Sequence, residues 1–161
     1  MTVSELLLEA SKRLLAVGIE EAKNDARLLF MHATGRSFSE VFLMGAENVS
    51  QETANEFEQL IARRETREPL QYITGEQEFC GIPFRVRKGV LIPRPETEEL
   101  VTRVLTHLRS CLPSSVSCPL VVDVGTGTGA IILSLAREFK GEAAFLGTDV
   151  SEDAIALAKE N

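Results

Sequence analysis

The sequence predicts an α/β chain: an N-terminal helical bundle and a β-hairpin linker, followed by the first half of a doubly wound domain on a parallel sheet. Three observations carry this. Apolar residues recur at helical spacing as far as residue 68, short extended runs replace them beyond Pro69, and from Leu120 the order becomes strand, glycine cluster, helix, strand, acid, helix.

The first helix is read from Ser4 to Val17 with Leu7, Leu8, Leu14 and Leu15 on its apolar side, and a second from Ile19 to His32 through Ala22, Ala26, Leu29 and Phe30, closed by Gly35. Ser37 to Met44 makes a short third. Ser50 caps a fourth, which turns Ala54, Phe57, Leu60 and Ile61 inward and ends in the charged run Arg63 to Glu68 before Pro69. Gln77 to Cys80, Pro83 to Val86 and Gly89 to Ile92 are expected as three extended runs, the first two joined at Gly81. Pro95 is placed as the first residue of a helix through Leu100, Val101, Val104 and Leu108, and Cys111 to Pro119 as a loop. Leu120 to Val124 reads as a strand buried on both faces, Ala130 to Phe139 as a helix, and Ala143 to Gly147 as a second strand; Ser151 then caps a helix reaching Asn161.

Composition bounds the function. A length of 161 residues, 44% of them hydrophobic and 25% charged, suits one domain and a fragment, and a net charge of -7 argues against a general nucleic-acid or anionic-membrane binder. No apolar run approaches the ~20 residues that span a bilayer, and the start lacks a signal-peptide layout, so the chain reads as cytoplasmic. Cys80, Cys111 and Cys118 form no CxxC pair, and His32 and His107 stand alone, so neither a disulfide framework nor a metal site is expected.

The chemistry gathers at Gly125-Thr126-Gly127-Thr128-Gly129, between a strand and a helix start, where open α/β sheets bind ligands. Glycines let a ligand approach the backbone, and the helix N-terminus offers unpaired N–H groups. Asp149 follows Gly125 by 24 residues, the spacing of an acid that accepts hydrogen bonds from ribose hydroxyls. A ribose-containing cofactor is implied. The spacing does not choose among such cofactors, because Gly125, Gly127 and Ala130 also satisfy the dinucleotide pattern, which keeps NAD and an oxidoreductase open.

Asp123-Val124-Gly125-Thr126-Gly127-Thr128-Gly129 resembles the acidic glycine motif of S-adenosyl-L-methionine-dependent methyltransferases, in which the early acid orients the methionine end of the cofactor. Pro69 to Gly75, then Phe79 and Gly81, then Val90-Leu91-Ile92-Pro93-Arg94-Pro95-Glu96-Thr97-Glu98, are more specific. They resemble the protein-(glutamine-N5) methyltransferases of peptide chain release factors, the HemK or PrmC family. The resemblance implies a helical substrate-recognition domain over residues 1–68, a hairpin linker over 69–93, and the start of a Rossmann-like methyltransferase domain over 94–161. It places Arg94, Pro95, Glu96 and Thr97 beside the cofactor pocket and makes release factors the protein partners, with no direct nucleic acid and no membrane. The family's Asn-Pro-Pro-Tyr motif, which grips the substrate amide, does not occur in this sequence. The chain is therefore expected to be an inactive piece, monomeric if intact and prone to self-association as a fragment, with residues 119–161 less stable than 1–68. A non-catalytic protein-binding module remains the third reading.

Overall fold

A computed structural model describes residues 1–110 and 118–161, so most of the expected loop from Cys111 to Pro119 lies outside the described residues. The chain divides into two compact units, Met1–Thr74 and Gly75–Asn161.

The first unit is helical. Helix α1, Val3–Ala16, starts from a reciprocal cap in which Glu5 N–H donates to Thr2 Oγ1 at 3.3 Å and Thr2 N–H to Glu5 Oε2 at 2.8 Å. Leu6, Ala10 and Leu14 form its buried stripe, whereas Leu8 and Leu15, expected inside, face solvent. The two leucine pairs each straddle the edge of the stripe, and one member falls outside it. Helix α2, Ala22–Thr34, begins later than expected because Ile19 N–H returns to the Leu14 carbonyl at 3.1 Å and wraps the end of α1; Gly35 closes it at φ 64°. Helix α3, Phe38–Leu43, uses a Ser37–Glu40 capping box, and α4, Gln51–Glu65, is capped by Ser50.

Where one charged run to Glu68 was expected, α4 stops at Glu65, Arg67 takes a left-handed φ of 67°, and a further helix α5 occupies Leu70–Thr74. Pro69 is not an end but a beginning: its carbonyl receives the N–H groups of Tyr72 and Ile73. The core joins all five helices through Leu14, Leu29, Val41, Phe57 and Ile73, with the Phe30 and Phe57 rings edge-on at 5.4 Å. Asp25, 5% exposed, is paired with Arg64 at 2.8 Å.

The second unit opens with a hairpin of β1, Glu76–Phe79, and β2, Ile82–Arg85, in register Phe79↔Ile82. Its two-residue turn needs positive φ twice, and Cys80 at 51° and Gly81 at 69° supply it. No strand forms over Gly89 to Ile92; Gly89 sits at φ 99° and Val90 N–H closes a turn onto the Arg87 carbonyl at 3.2 Å. Pro95–Thr97 is a single 3₁₀ turn headed by proline, and α6, Glu98–Ser110, buries Val101, Leu105 and Leu108 while Leu100 is exposed.

Strand β3, Leu120–Val124, helix α7, Ala130–Glu138, and strand β4, Ala144–Thr148, form a β-α-β unit with parallel strands in register Asp123↔Gly147. Helix α8, Glu152–Glu160, follows, capped by Ser151. This is the Rossmann-like arrangement, a helical region and a small hairpin preceding a parallel sheet. One sheet face packs Val121 and Phe145 on the cluster of Phe79, Val101 and Leu135. The other is open, with Leu120 at 62%, Val122 at 47% and Val124 at 84% exposure, so β3 is not buried on both faces among the described residues. A continuous apolar run says that either face is coverable; alternation along the strand sends successive side chains to opposite sides, and here one side has a partner.

Candidate functional site

The strand β3 ends by handing its backbone to a loop that only glycine tolerates: Gly125, Gly127 and Gly129 have φ of 81°, 56° and 80°. Gly125 and Thr126 N–H both donate to the Thr148 carbonyl at 2.8 Å, which ties the loop to the end of β4, and Gly129 N–H turns back to the Thr126 carbonyl at 2.8 Å. Helix α7 then starts without a side-chain cap at Gly129. Its first N–H groups are left for a ligand or water.

Two carboxylates flank this loop. Asp149, just past β4, accepts the Gly127 N–H on Oδ2 and the Ser151 N–H on Oδ1, both at 2.9 Å. These backbone bonds, that of Ser151 first and that of Gly127 next, hold its carboxyl below the ordinary 3.8. Each oxygen keeps a second lone pair for a further donor. Asp123, inside β3, accepts the Thr126 hydroxyl on Oδ2 at 2.8 Å, so one oxygen is fixed by the loop. Thr126 and Thr128 are 8% and 3% exposed. The Thr126 side chain lies over Gly147, where an added Cβ would meet its Oγ1 at 2.8 Å.

A small cavity of about 120 Å³ lies over the loop. It is lined by Gly125, Thr126, Gly127 and Thr128 of the loop, by the segment from Leu91 to Arg94 with Thr97, and by Phe79, Ala130 and Ile131. Of the residues expected beside the site, Arg94 and Thr97 are therefore brought to the loop, whereas Pro95 and Glu96 are exposed and do not line the cavity. Gly129 lines a neighbouring apolar groove between α7 and α8 with Leu133 and Ala158. Asp123 and Asp149 reach the loop through hydrogen bonds rather than through the cavity wall. Enclosing ligand sites span roughly 300–1,000 Å³, so this concavity is smaller than a site that encloses a whole cofactor.

A wider groove of about 670 Å³ in the helical unit runs past Asn24, Arg64 and Arg67. Its cations are already spent: Arg64 on Asp25 and the Glu68 carbonyl, Arg67 on the Val17 carbonyl at 2.8 Å. The contact of Thr126 with Asp123 and the seat at Gly147 escaped the sequence reading. The available signal was the pairing of the loop strand's acid with a glycine on the next strand, which shows only once the register is known.

Known proteins match both ends of the chain and its whole length. Residues 5–75 match the PrmC N-terminal domain and residues 119–161 a methyltransferase domain. The release factor glutamine methyltransferase of Deinococcus radiodurans is 38% identical over 161 residues, covering all of this chain and 56% of its own length. That of Agrobacterium fabrum is 38% identical over 160 residues, with 99% and 55% covered, and that of Escherichia coli 35% over 163 residues, with 100% and 55% covered. By its two domains and by this likeness along its whole length, the chain belongs to the release factor glutamine methyltransferase family, and it spans about half the length of the curated relatives it matches.

Proposed function

We propose that the loop Gly125–Gly129 with Asp123 and Asp149 binds S-adenosyl-L-methionine, and that the activity served is methylation of the side-chain amide nitrogen of a glutamine, in the Gly-Gly-Gln motif of peptide chain release factors. The observation that carries this reading is the docking of the Asp149 carboxylate on the Gly127 N–H, which puts a hydrogen-bond acceptor and a bare backbone side by side. A bound S-adenosyl-L-methionine supplies an electrophilic methyl group on a sulfonium.

The fit is chemical. Asp149 has lone pairs to accept both ribose hydroxyls, Asp123 has a free oxygen for the methionine ammonium, and three left-handed glycines leave the loop without Cβ atoms at its crest. Arg94 and Thr97 line the cavity, and Pro95 heads the short turn that carries Thr97. An amide nitrogen is a poor nucleophile because its lone pair is delocalised, so transfer needs acceptors that orient the NH₂ group toward the methyl. The Asn-Pro-Pro-Tyr motif that does this in the family is not in this sequence. Residues 1–161 therefore supply cofactor binding without amide activation, residues 1–68 and the hairpin linker 69–93 help hold the release factor, and residues 94–161 hold the cofactor.

Calorimetric titration of the chain with S-adenosyl-L-methionine, S-adenosylhomocysteine and NAD tests the first part. Binding of the two sulfur ligands, about tenfold weaker in Asp149→Ala, is the expected result; binding of NAD alone overturns the reading. For the second part, incubation of these residues with labelled cofactor and a release factor leaves the release factor unlabelled. Detectable transfer of the label refutes the inactivity of the chain by itself.

A further inference from the structure

We infer that Asn161 is a positioning residue for the candidate cofactor pocket, its carboxamide holding the hairpin strand β2 and the glycine loop at a fixed spacing. The inference rests on the cofactor reading above. Asn161 Oδ1 accepts the Arg85 N–H at 2.8 Å, and Nδ2 donates to the Arg85 carbonyl at 3.2 Å and to the Thr128 carbonyl at 2.9 Å. One side chain thus pairs with both backbone groups of a strand residue, as a neighbouring strand would, and with the loop besides. Its own N–H stays on α8 through the Leu157 carbonyl at 3.1 Å, so the carboxamide is presented from a helix end.

What this fixes follows from the path of the chain. Between Arg85 and the cavity wall at Leu91 to Arg94 lie a few residues, of which Val90 is buried with Ala154 and Leu157 of α8. Val90 Cγ1 also stands 3.8 Å from the position a Cβ on Gly127 would take. Arg87 adds an exposed ion pair to Glu160 at 2.9 Å, which solvent and salt weaken. The wall is therefore fastened to α8 at Val90 and at Arg85, and Asn161 alone carries one of these fastenings through to the loop among the bonds described. Thr128 C=O and Gly129 N–H share one rigid peptide plane. Holding that carbonyl sets the direction of the N–H that closes the loop onto Thr126.

The residue type matters because only a carboxamide offers a donor and an acceptor together. Aspartate would place an oxygen against two carbonyls, and alanine would leave the strand and the loop joined by packing alone. The test uses the 161-residue chain and its Asn161→Ala and Asn161→Asp forms, read by calorimetric titration with S-adenosylhomocysteine and by amide hydrogen exchange. Both variants are expected to bind about tenfold more weakly, at a temperature where circular dichroism shows them folded, with faster exchange at Gly129 in both, faster exchange at Arg85 in Asn161→Ala, and unchanged exchange in the helical unit. A purely structural role would lower the melting temperature and leave the affinity of the folded chain alone. Wild-type binding matched within about twofold by both variants would overturn the inference and spare the cofactor reading. No binding by the wild-type chain would overturn both, and exchange at Arg85 unchanged in Asn161→Ala would remove the fastening itself.

Discussion

The helical unit and the sheet unit of this chain solve the problem of stability in opposite ways. In Met1–Thr74 a single cluster of buried residues runs from Val3 to Ile73 and reaches every helix, and the one buried acid, Asp25, has its arginine. In Gly75–Asn161 most of the buried apolar residues described fall into two separate clusters, a row of branched side chains on β3 stays open, and much of the order around the loop comes from hydrogen bonds between residues far apart in sequence. A region that carries its own core needs little from its surroundings. One built around a glycine loop ties that loop down with the Thr148 carbonyl and the Asp149 carboxylate and leaves the first turn of α7 to a ligand or water, and groups kept for a ligand cannot also hold the fold together.

The comparison breaks most visibly if the helical core is not self-sufficient. Phe57, 1% exposed and edge-on to Phe30, is the place to ask: Phe57→Ala is expected to cost about 4 kcal/mol, read as a shift of the urea midpoint by circular dichroism. Loss of much less would mean that the cluster is looser than its burial indicates. Limited proteolysis contrasts the two units directly, with cleavage within residues 119–161 expected before cleavage within 1–68, by mass spectrometry of the first fragments. Early cutting in the helices reverses the comparison. A smaller effect is expected at Ser50, whose hydroxyl accepts the Thr53 N–H at 3.2 Å: Ser50→Ala should cost about 1 kcal/mol in the same urea measurement.

The smallest effect is a pH dependence. Because the carboxyl of Asp149 is depressed in the folded chain, its contribution is complete above the ordinary value of 3.8 and is lost as pH falls through the lower folded value. The amide signal of Gly127 should therefore hold steady from about pH 8 to 5 and move only below about pH 4, followed by nuclear magnetic resonance. Movement near neutrality would mean that another group governs the loop.

Much of this is legible in the sequence alone. Helix limits marked by chemistry were right where a side chain does the capping, as at Ser50 and Ser151, or where glycine turns left-handed, as at Gly35. Misreadings arose where one residue type has two uses. Pro69 can end a helix or begin one, and a five-residue helix such as α5 is too short to show a period. Gly89 to Ile92 has the apolar texture of a strand but no neighbouring strand among the described residues, and strands exist only in pairs. In the site, the glycine loop and the acid beyond the next strand stand at a readable spacing, while the nearness of Arg94 and Thr97 to that loop was expected from resemblance alone. Asn161 gave no signal at all, since its partners are 76 and 33 residues away and nothing in a helix-ending asparagine announces them.

The crowding of Thr126 over Gly147 ties two positions into one evolutionary decision. Alanine at 147 would push a methyl group to within 2.8 Å of the threonine hydroxyl, so the glycine cannot drift while the threonine stands. Nor can the threonine shrink freely, since its hydroxyl holds the Asp123 carboxylate. Homologous chains should change the two sites together or keep both, and a pair of substitutions should be tolerated where either one alone is not.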